Sequence, residues 1–169
     1  MNNIILIGMP TSGKSTVGVI LAKILGMDFL DTDLLLQRET GVRLSELIET
    51  KGTDGFLKTE ESICAAIRAD HTVIATGGSV VYSSAAMDHL RKNGKTVYLS
   101  ISLSELRNRL RDAKARGVIL REGESIEQLF AERESLYSQY ADIVIPEEGL
   151  RLEETVQTVY DAVLQWLDE

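Results

Sequence analysis

The sequence predicts a three-layer α/β fold, a five-stranded parallel sheet covered on both faces by helices, and three observations carry that prediction. Five short apolar runs recur along the 169 residues, and segments with helical spacing of apolar positions separate them. Those helical segments are the second observation. Parallel neighbours need crossover helices, so strands alternating with helices assemble into one buried sheet. The third observation is local: Gly8-Met9-Pro10-Thr11-Ser12-Gly13-Lys14-Ser15-Thr16 reads G-x-x-x-x-G-K-S between an apolar strand and an amphipathic helix. This stretch is a P-loop.

Ile4, Ile5, Leu6 and Ile7 form the entering strand, and Val17, Ile20, Leu21 and Ile24 fall at i, i+3, i+4, i+7 of a helix that ends near Gly26. Glycines at both ends of the loop let successive amide groups converge on one point, and the positive end of the helix adds to their pull on an anion. The loop is built for phosphate. Gly8, Thr11, Ser12, Gly13, Lys14, Ser15 and Thr16 are therefore the candidate nucleotide-binding residues. Lys14 is expected along the β- and γ-phosphates, and the Ser15 hydroxyl is expected as a ligand of a Mg²⁺ that bridges the same oxygens.

Asp28-Phe29-Leu30 reads as a second strand running into Asp31-Thr32-Asp33. Ligands of an open parallel sheet bind at the carboxyl ends of its strands, so both carboxylates are expected to face the phosphate loop. One acid can serve a Mg²⁺ and the other can orient an attacking hydroxyl; helix N-capping by Thr32 or Asp33 is the plain alternative. From Asp33 to Ala69 the spacing of Leu44, Leu47, Ile48, Phe56, Ile63 and Ile67 predicts short helices broken by Gly41, Gly52 and Gly55. This region, 33–70, is the expected wall for an acceptor.

Thr72 to Ala75 is a third buried strand, with Thr76-Gly77-Gly78-Ser79 at its carboxyl end. Paired glycines admit a ligand close to the backbone, although a tight strand-to-helix turn is the better explanation of the motif taken alone. Ser83 to Leu90 reads as helix and Lys95 to Ser100 as the fourth strand. Ser102 with Glu105, and Ser125 with Gln128, have the spacing of capping boxes. Between the two helices they open, Lys114 to Glu124 lacks periodicity and carries Arg116 and Arg121, which suits a flap over transferring phosphate. Ile143-Val144-Ile145 is the fifth strand. The closing helix is expected to bury Leu152, Val156, Val159, Tyr160, Val163 and Leu167, with Trp166 in packing at its edge.

Hydrophobic content of 44% and charged content of 26% are those of an ordinary soluble globular domain, here one domain over 1–169. No apolar run approaches the ~20 residues of a membrane helix, and no leader sequence is expected before the first strand. A lone Cys64 forms no internal disulfide and reads as a small buried hydrophobe, so a cytoplasmic setting is expected. A net charge of −8 argues against a nucleic-acid surface. Even so, Arg107, Arg109, Arg111, Lys114, Arg116, Arg121 and Arg133 crowd one span, either as a solvated face or as the seat of an anionic ligand.

Taken in order, the P-loop, the strand ending Asp31-Thr32-Asp33, a Phe-x-x-x-Glu helix from Phe56 to Glu60, Thr76-Gly77-Gly78, an arginine lid at 114–124, and Glu132-Arg133-Glu134-x-Leu136-Tyr137 resemble the shikimate kinase family from end to end. The resemblance implies a P-loop nucleoside-triphosphate kinase fold with strand order 2-3-1-4-5, Mg-ATP as donor, and a small ring alcohol of aromatic amino-acid biosynthesis as acceptor. It also implies roles. Lys14 would bind phosphate, Ser15 and Asp31 would hold Mg²⁺ directly or through water, and Asp33 would take the acceptor hydroxyl's proton. Arg109 would lie near the adenine, Arg116 would contact phosphate from the lid, and Arg133 would pair with the acceptor carboxylate beside Gly77 and Gly78.

Three positions depart from the family's pattern. Leu57 stands where the family's substrate helix carries arginine, Ser79 ends the glycine run, and Arg116-Gly117-Val118-Ile119-Leu120 replaces Arg-Pro-Leu-Leu in the lid, leaving Arg116 and Arg121 as alternatives. Lys58 points ~100° away from position 57 around a helix and is no substitute. The acceptor is expected to be shikimate or a related hydroxy acid or polyol, handled by a monomer. A nucleotide-binding regulator without catalysis is the reading from another class, and the presence of both Asp31 and Asp33 speaks against it.

Overall fold

Ile4, Ile5, Leu6 and Ile7 are fully buried because the strand that holds them, β1 (Asn3–Gly8), runs through the middle of a five-stranded sheet. The computed structural model describes residues 2–112 and 123–167, so the expected lid lies outside the described residues except for Gly123 and Glu124. Around β1 stand β2 (Asp28–Asp31), β3 (Thr72–Ala75), β4 (Gly94–Ser100) and β5 (Ile143–Pro146), all parallel, in the order β2-β3-β1-β4-β5. Ile4 and Leu6 pair with Val73 and Ala75 of β3 on one side and with Lys95 and Val97 of β4 on the other.

Strand residues alternate between two cores. Ile5 and Ile7 face a cluster with Phe56, Met87, Tyr98 and Tyr137, while Ile4 and Leu6 face one with Val17, Leu21, Val97 and Val159. Seven helices cover the two faces among the described residues: α1 (Lys14–Leu25), α2 (Thr32–Thr40), α3 (Leu44–Cys64), α4 (Ser84–Lys92), α5 (Leu103–Asp112), α6 (Ile126–Tyr140) and α7 (Leu152–Leu167). A 3-10 turn over Val80–Tyr82 precedes α4, inside a segment that carries no separate sequence signal.

Several local expectations are corrected. The buried stripe of α1 is Val17, Gly18, Leu21 and Ala22, whereas Ile24 is 53% exposed. Gly18 decides this register: a Cβ there would stand 2.8 Å from Phe29 Cε2, so the missing side chain lets the helix lie close on the sheet. Gly41 ends α2 in a left-handed cap and Gly52 kinks α3 with φ 66°, but Gly55 breaks nothing and stays helical. Leu152 is exposed at the start of α7. Ser125 and Gln128 form a complete capping box. Only half of the other box forms, because Glu105 turns its carboxylate to Arg109 while its amide donates to Ser102 Oγ. Cys64 is fully buried, as expected, and Trp166 is partly buried with Lys95 lying over its ring.

Gly94 opens β4 where β1 passes closest, and a Cβ there would collide with the Asn3 carbonyl. Gly94→Ala is expected to destabilise the fold by about 1–3 kcal/mol through forced separation of the two strands. Urea unfolding of the two proteins side by side checks this, with the Gly94→Ala midpoint falling at unchanged slope.

Candidate active site

Between β1 and α1 the phosphate loop turns on two glycines. Gly8 packs so tightly that a Cβ would lie 2.5 Å from the Leu99 carbonyl, and Gly13 caps α1 with φ 82°. Lys14 is only 7% exposed. Its ammonium donates to the Gly8 carbonyl at 2.9 Å, the Met9 carbonyl at 2.7 Å and Ser12 Oγ at 3.3 Å. Burial lowers its pKa to about 8 against the pull of Asp33 and Glu147. Thr16 is exposed in the first turn of α1, at the mouth of the same cleft.

Ser15 Oγ donates to Asp31 Oδ2 at 2.6 Å, joining the helix that leaves the loop to the end of β2. Asp31, rather than Thr32 or Asp33, caps α2: its backbone is still extended, so its other oxygen accepts from the amides of Asp33 (2.9 Å) and Leu34 (3.3 Å). A hydroxyl and a carboxylate side by side are hard oxygen donors that fit Mg²⁺, which keeps few protein ligands and shares phosphate oxygens and water. Among the described residues no group of three or more acidic, histidine or cysteine side chains is placed to hold a metal ion.

Asp33 faces a cavity of about 530 Å³ that also reaches Lys14, Ser15, Phe56, Gly77 and Arg133. Burial first, and then the neighbouring Asp31 charge, raise its pKa, while Lys14 lowers it. The glycine turn after β3 forms the floor. A Cβ on Gly77 would lie 2.6 Å from Glu60 Oε1 and 2.9 Å from Asp33 Oδ1, and one on Gly78 would lie 3.2 Å from Arg133 Nη1. The two glycines thus let Glu60 and Asp33, and Pro10 and Arg133, approach the turn closely. The Gly77 amide donates to Thr32 Oγ1 at 2.9 Å and Tyr137 OH donates to the Gly78 carbonyl at 2.5 Å, so the turn is fixed from two sides.

Ser79 lines the cavity, but its hydroxyl donates to Glu60 Oε2 at 2.6 Å. Glu60 is 2% exposed, its Oε1 has no hydrogen bond, and burial pushes its pKa up to about 7. Arg133, also 2% exposed, lies over the Tyr82 ring at 5.2 Å and donates from Nε to Tyr82 OH at 3.2 Å. On the other side of the loop, Arg109 donates to the Thr11 carbonyl at 3.0 Å and to Glu105 at 2.6 Å. Arg116 and Arg121 lie outside the described residues.

The structure therefore brings Lys14, Ser15, Asp31, Asp33, Gly77, Gly78 and Arg133 to one sheet edge, with Arg109 behind the phosphate loop. Sequence reasoning gave no role to Glu60, Tyr82, Tyr137, Arg43 or Glu147. Glu60 and Tyr137 close two of the motifs quoted above and could have been found there. Arg43, Tyr82 and Glu147 carry no local signal, because only the fold brings them near the cleft.

The shikimate kinase family model matches residues 10–164. A shikimate kinase of Sulfurihydrogenibium is 38% identical over 138 residues, covering 81% of this chain and 83% of its own. One from Francisella tularensis subsp. novicida is 34% identical over 161 residues, covering 93% and 92%. The solved shikimate kinase of Acinetobacter baumannii in complex with shikimate superposes with a TM-score of 0.86 at 28% identity, over 98% of this chain and 94% of that one. A family match over nearly the whole length, on the five-stranded order and phosphate loop described above, makes this chain a member of the shikimate kinase family, ATP-dependent phosphotransferases that act on a hydroxyl group.

Proposed function

We propose that the protein transfers the γ-phosphoryl group of Mg-ATP to a hydroxyl of shikimate, yielding shikimate 3-phosphate and ADP. The observation that carries this reading is the shared cavity of Lys14, Asp33 and Arg133: a phosphate-binding cation, a carboxylate of raised basicity and a buried guanidinium face one volume. Such an arrangement accepts a triphosphate from one side and a small anionic alcohol from the other.

Asp33 takes the proton of the acceptor hydroxyl as that oxygen bonds to the γ-phosphorus. The bond from γ-phosphorus to the bridging oxygen breaks, and its electron pair leaves on ADP. Asp33 suits this task because desolvation makes it a stronger base than an exposed carboxylate, with the Lys14 charge acting in the opposite sense. Lys14 supplies positive charge to the phosphate oxygens. Ser15 and Asp31 would hold Mg²⁺, whose contribution is to neutralise charge on the β- and γ-oxygens. Arg116, with Arg121 as its alternative, is assigned the lid contact to the transferring group by resemblance alone.

Shikimate's carboxylate needs forked donors. Arg133 is one, and Leu57 cannot be another, since it packs with the core cluster around Phe56 and Cys64. Arg43, just before α3, lines the same cavity and forms no ion pair among the described residues. In this reading Arg43 takes the place of the missing arginine at the rim. Leu57 is also the specific observation that favours a second reading, a kinase of another hydroxy acid or a polyol.

Asp33→Asn is expected to lower kcat by about 10²–10⁴-fold with little change in the KM for ATP. Steady-state kinetics with both substrates varied measures it. Arg43→Gln is expected to lower kcat/KM for shikimate by about ten- to a hundredfold, the worth of one charge-assisted contact. Leu57→Arg in that background is expected to restore part of the loss. Saturable turnover of gluconate or quinate with none of shikimate would instead support the second reading.

A further inference from the structure

Thr11 sits in the phosphate loop with φ 68°, and among the described residues only His71 also combines a side chain with a left-handed backbone. A β-branched residue is disfavoured there, so its surroundings must hold it in place. The holding contact is visible. Arg109 Nη1 on α5 donates to the Thr11 carbonyl at 3.0 Å, fixing the peptide plane that follows the strained residue.

Arg109 is in turn aimed by two carboxylates. Glu105, one helical turn earlier, accepts from Nε at 2.6 Å, and Glu147 Oε2 stands 3.7 Å from Nη1. Glu147 follows directly on β5, and its amide donates to the Ser100 carbonyl at 2.9 Å, so its backbone continues the sheet and its position is rigid. Its side chain is 5% exposed, and Oε2 is buried without a hydrogen bond. A buried carboxylate with no hydrogen bond on one oxygen is costly, and Glu147 caps no helix with it. Its remaining duty is electrostatic and is directed at Arg109 and, beyond it, Lys14.

We propose that Glu147 is a positioning residue for nucleotide binding: together with Glu105 it holds Arg109 against the Thr11 carbonyl and so keeps the phosphate loop in its left-handed turn. This inference rests on reading the site as an ATP-dependent kinase. The amides of the loop converge on phosphate only in that turn, so a loosened Arg109 lowers nucleotide affinity without touching the acceptor side.

The groups that face Glu147 are Arg109 and Glu105 from α5 and Lys14 from α1. Burial, and to a smaller extent Glu105, raise its pKa against the pull of Arg109 and Lys14, and the carboxyl stands at about 7. As pH falls through that value the carboxylate takes up a proton and loses its hold on Arg109; as pH rises the hold returns. The ratio of parent to Glu147→Gln affinity for nucleotide is therefore expected to rise from pH 6 to pH 8, a comparison in which titration of the nucleotide phosphates and of Lys14 is common to both proteins.

The test is calorimetric titration of Mg-ADP between pH 6 and pH 8 into the parent enzyme, Glu147→Gln, Thr11→Gly and the double variant. Glu147→Gln is expected to weaken Mg-ADP binding by about tenfold at pH 8, the scale of one charge-assisted contact, and to flatten the profile. KM for the acceptor stays constant. Glycine adopts the left-handed turn unaided, so the cost of Glu147→Gln shrinks in the Thr11→Gly background. Equal affinities for parent and Glu147→Gln, or an undiminished cost beside Thr11→Gly, overturn the inference. Should Glu147→Gln fail to fold, parent and Thr11→Gly decide: a steeper profile in the parent supports the inference, and matching profiles overturn it. A parent that binds no Mg-ADP overturns the kinase reading and this inference with it, whereas tight binding by the parent with an indifferent Glu147→Gln overturns the inference alone.

Discussion

A buried ammonium must be surrounded by oxygen, and the rest of the cleft depends on how Lys14 meets that demand. Its partners are carbonyls of the loop that carries it, so the cation and the curl of backbone around it define one another. Gly8 makes this possible by letting the end of β1 press against Leu99 of β4. A side chain at that point would push the loop from the sheet and carry the ammonium away from the strand ends. The placement of charge thus begins with a backbone contact between two buried strands.

Around that cation the cleft arranges acids of different character. Asp31 is fixed by two amides on one oxygen and the Ser15 hydroxyl on the other, which leaves acceptor capacity on Oδ2. Asp33, two residues on, is half-buried with Asp31 and Lys14 beside it, and its pKa is raised. Two carboxylates of one sequence motif thereby acquire separate character from their surroundings. Glu60 completes the series, pushed up to about 7 by burial and held from behind by Ser79.

Most of the fold was legible because its signals are periodic or positional. The five apolar runs, the P-loop, and the Ser125 and Gln128 box follow rules in which a few neighbours decide the outcome. Ile24 defeated the periodic reading because the buried face of α1 is chosen by close approach, which Gly18 permits against Phe29 and Leu6, and Leu152 because it is the first residue of α7. The site was legible where one motif supplies several of its groups, as with Lys14, Ser15, Asp31 and Asp33. It was illegible where a partner arrives from a distant element. Glu147 is 38 residues from Arg109 and meets it only because β5 lies beside β4.

The acceptor half carries two departures from the family pattern, Leu57 and Ser79. Glu60 lies behind the glycine turn, and the Ser79 hydroxyl donates to it at 2.6 Å. Because the Ser79 hydroxyl turns toward Glu60, the glycine floor at Gly77 and Gly78 stays open, with Asp33 and Arg133 still at its two edges. Leucine at position 57 leaves out a positive charge that the family pattern carries there, and Glu60 titrates near neutrality. In the proposed reading, selection among hydroxy acids would then fall to Arg133 and to the rim at Arg43, which line the cavity, with phosphoryl transfer at the strand ends.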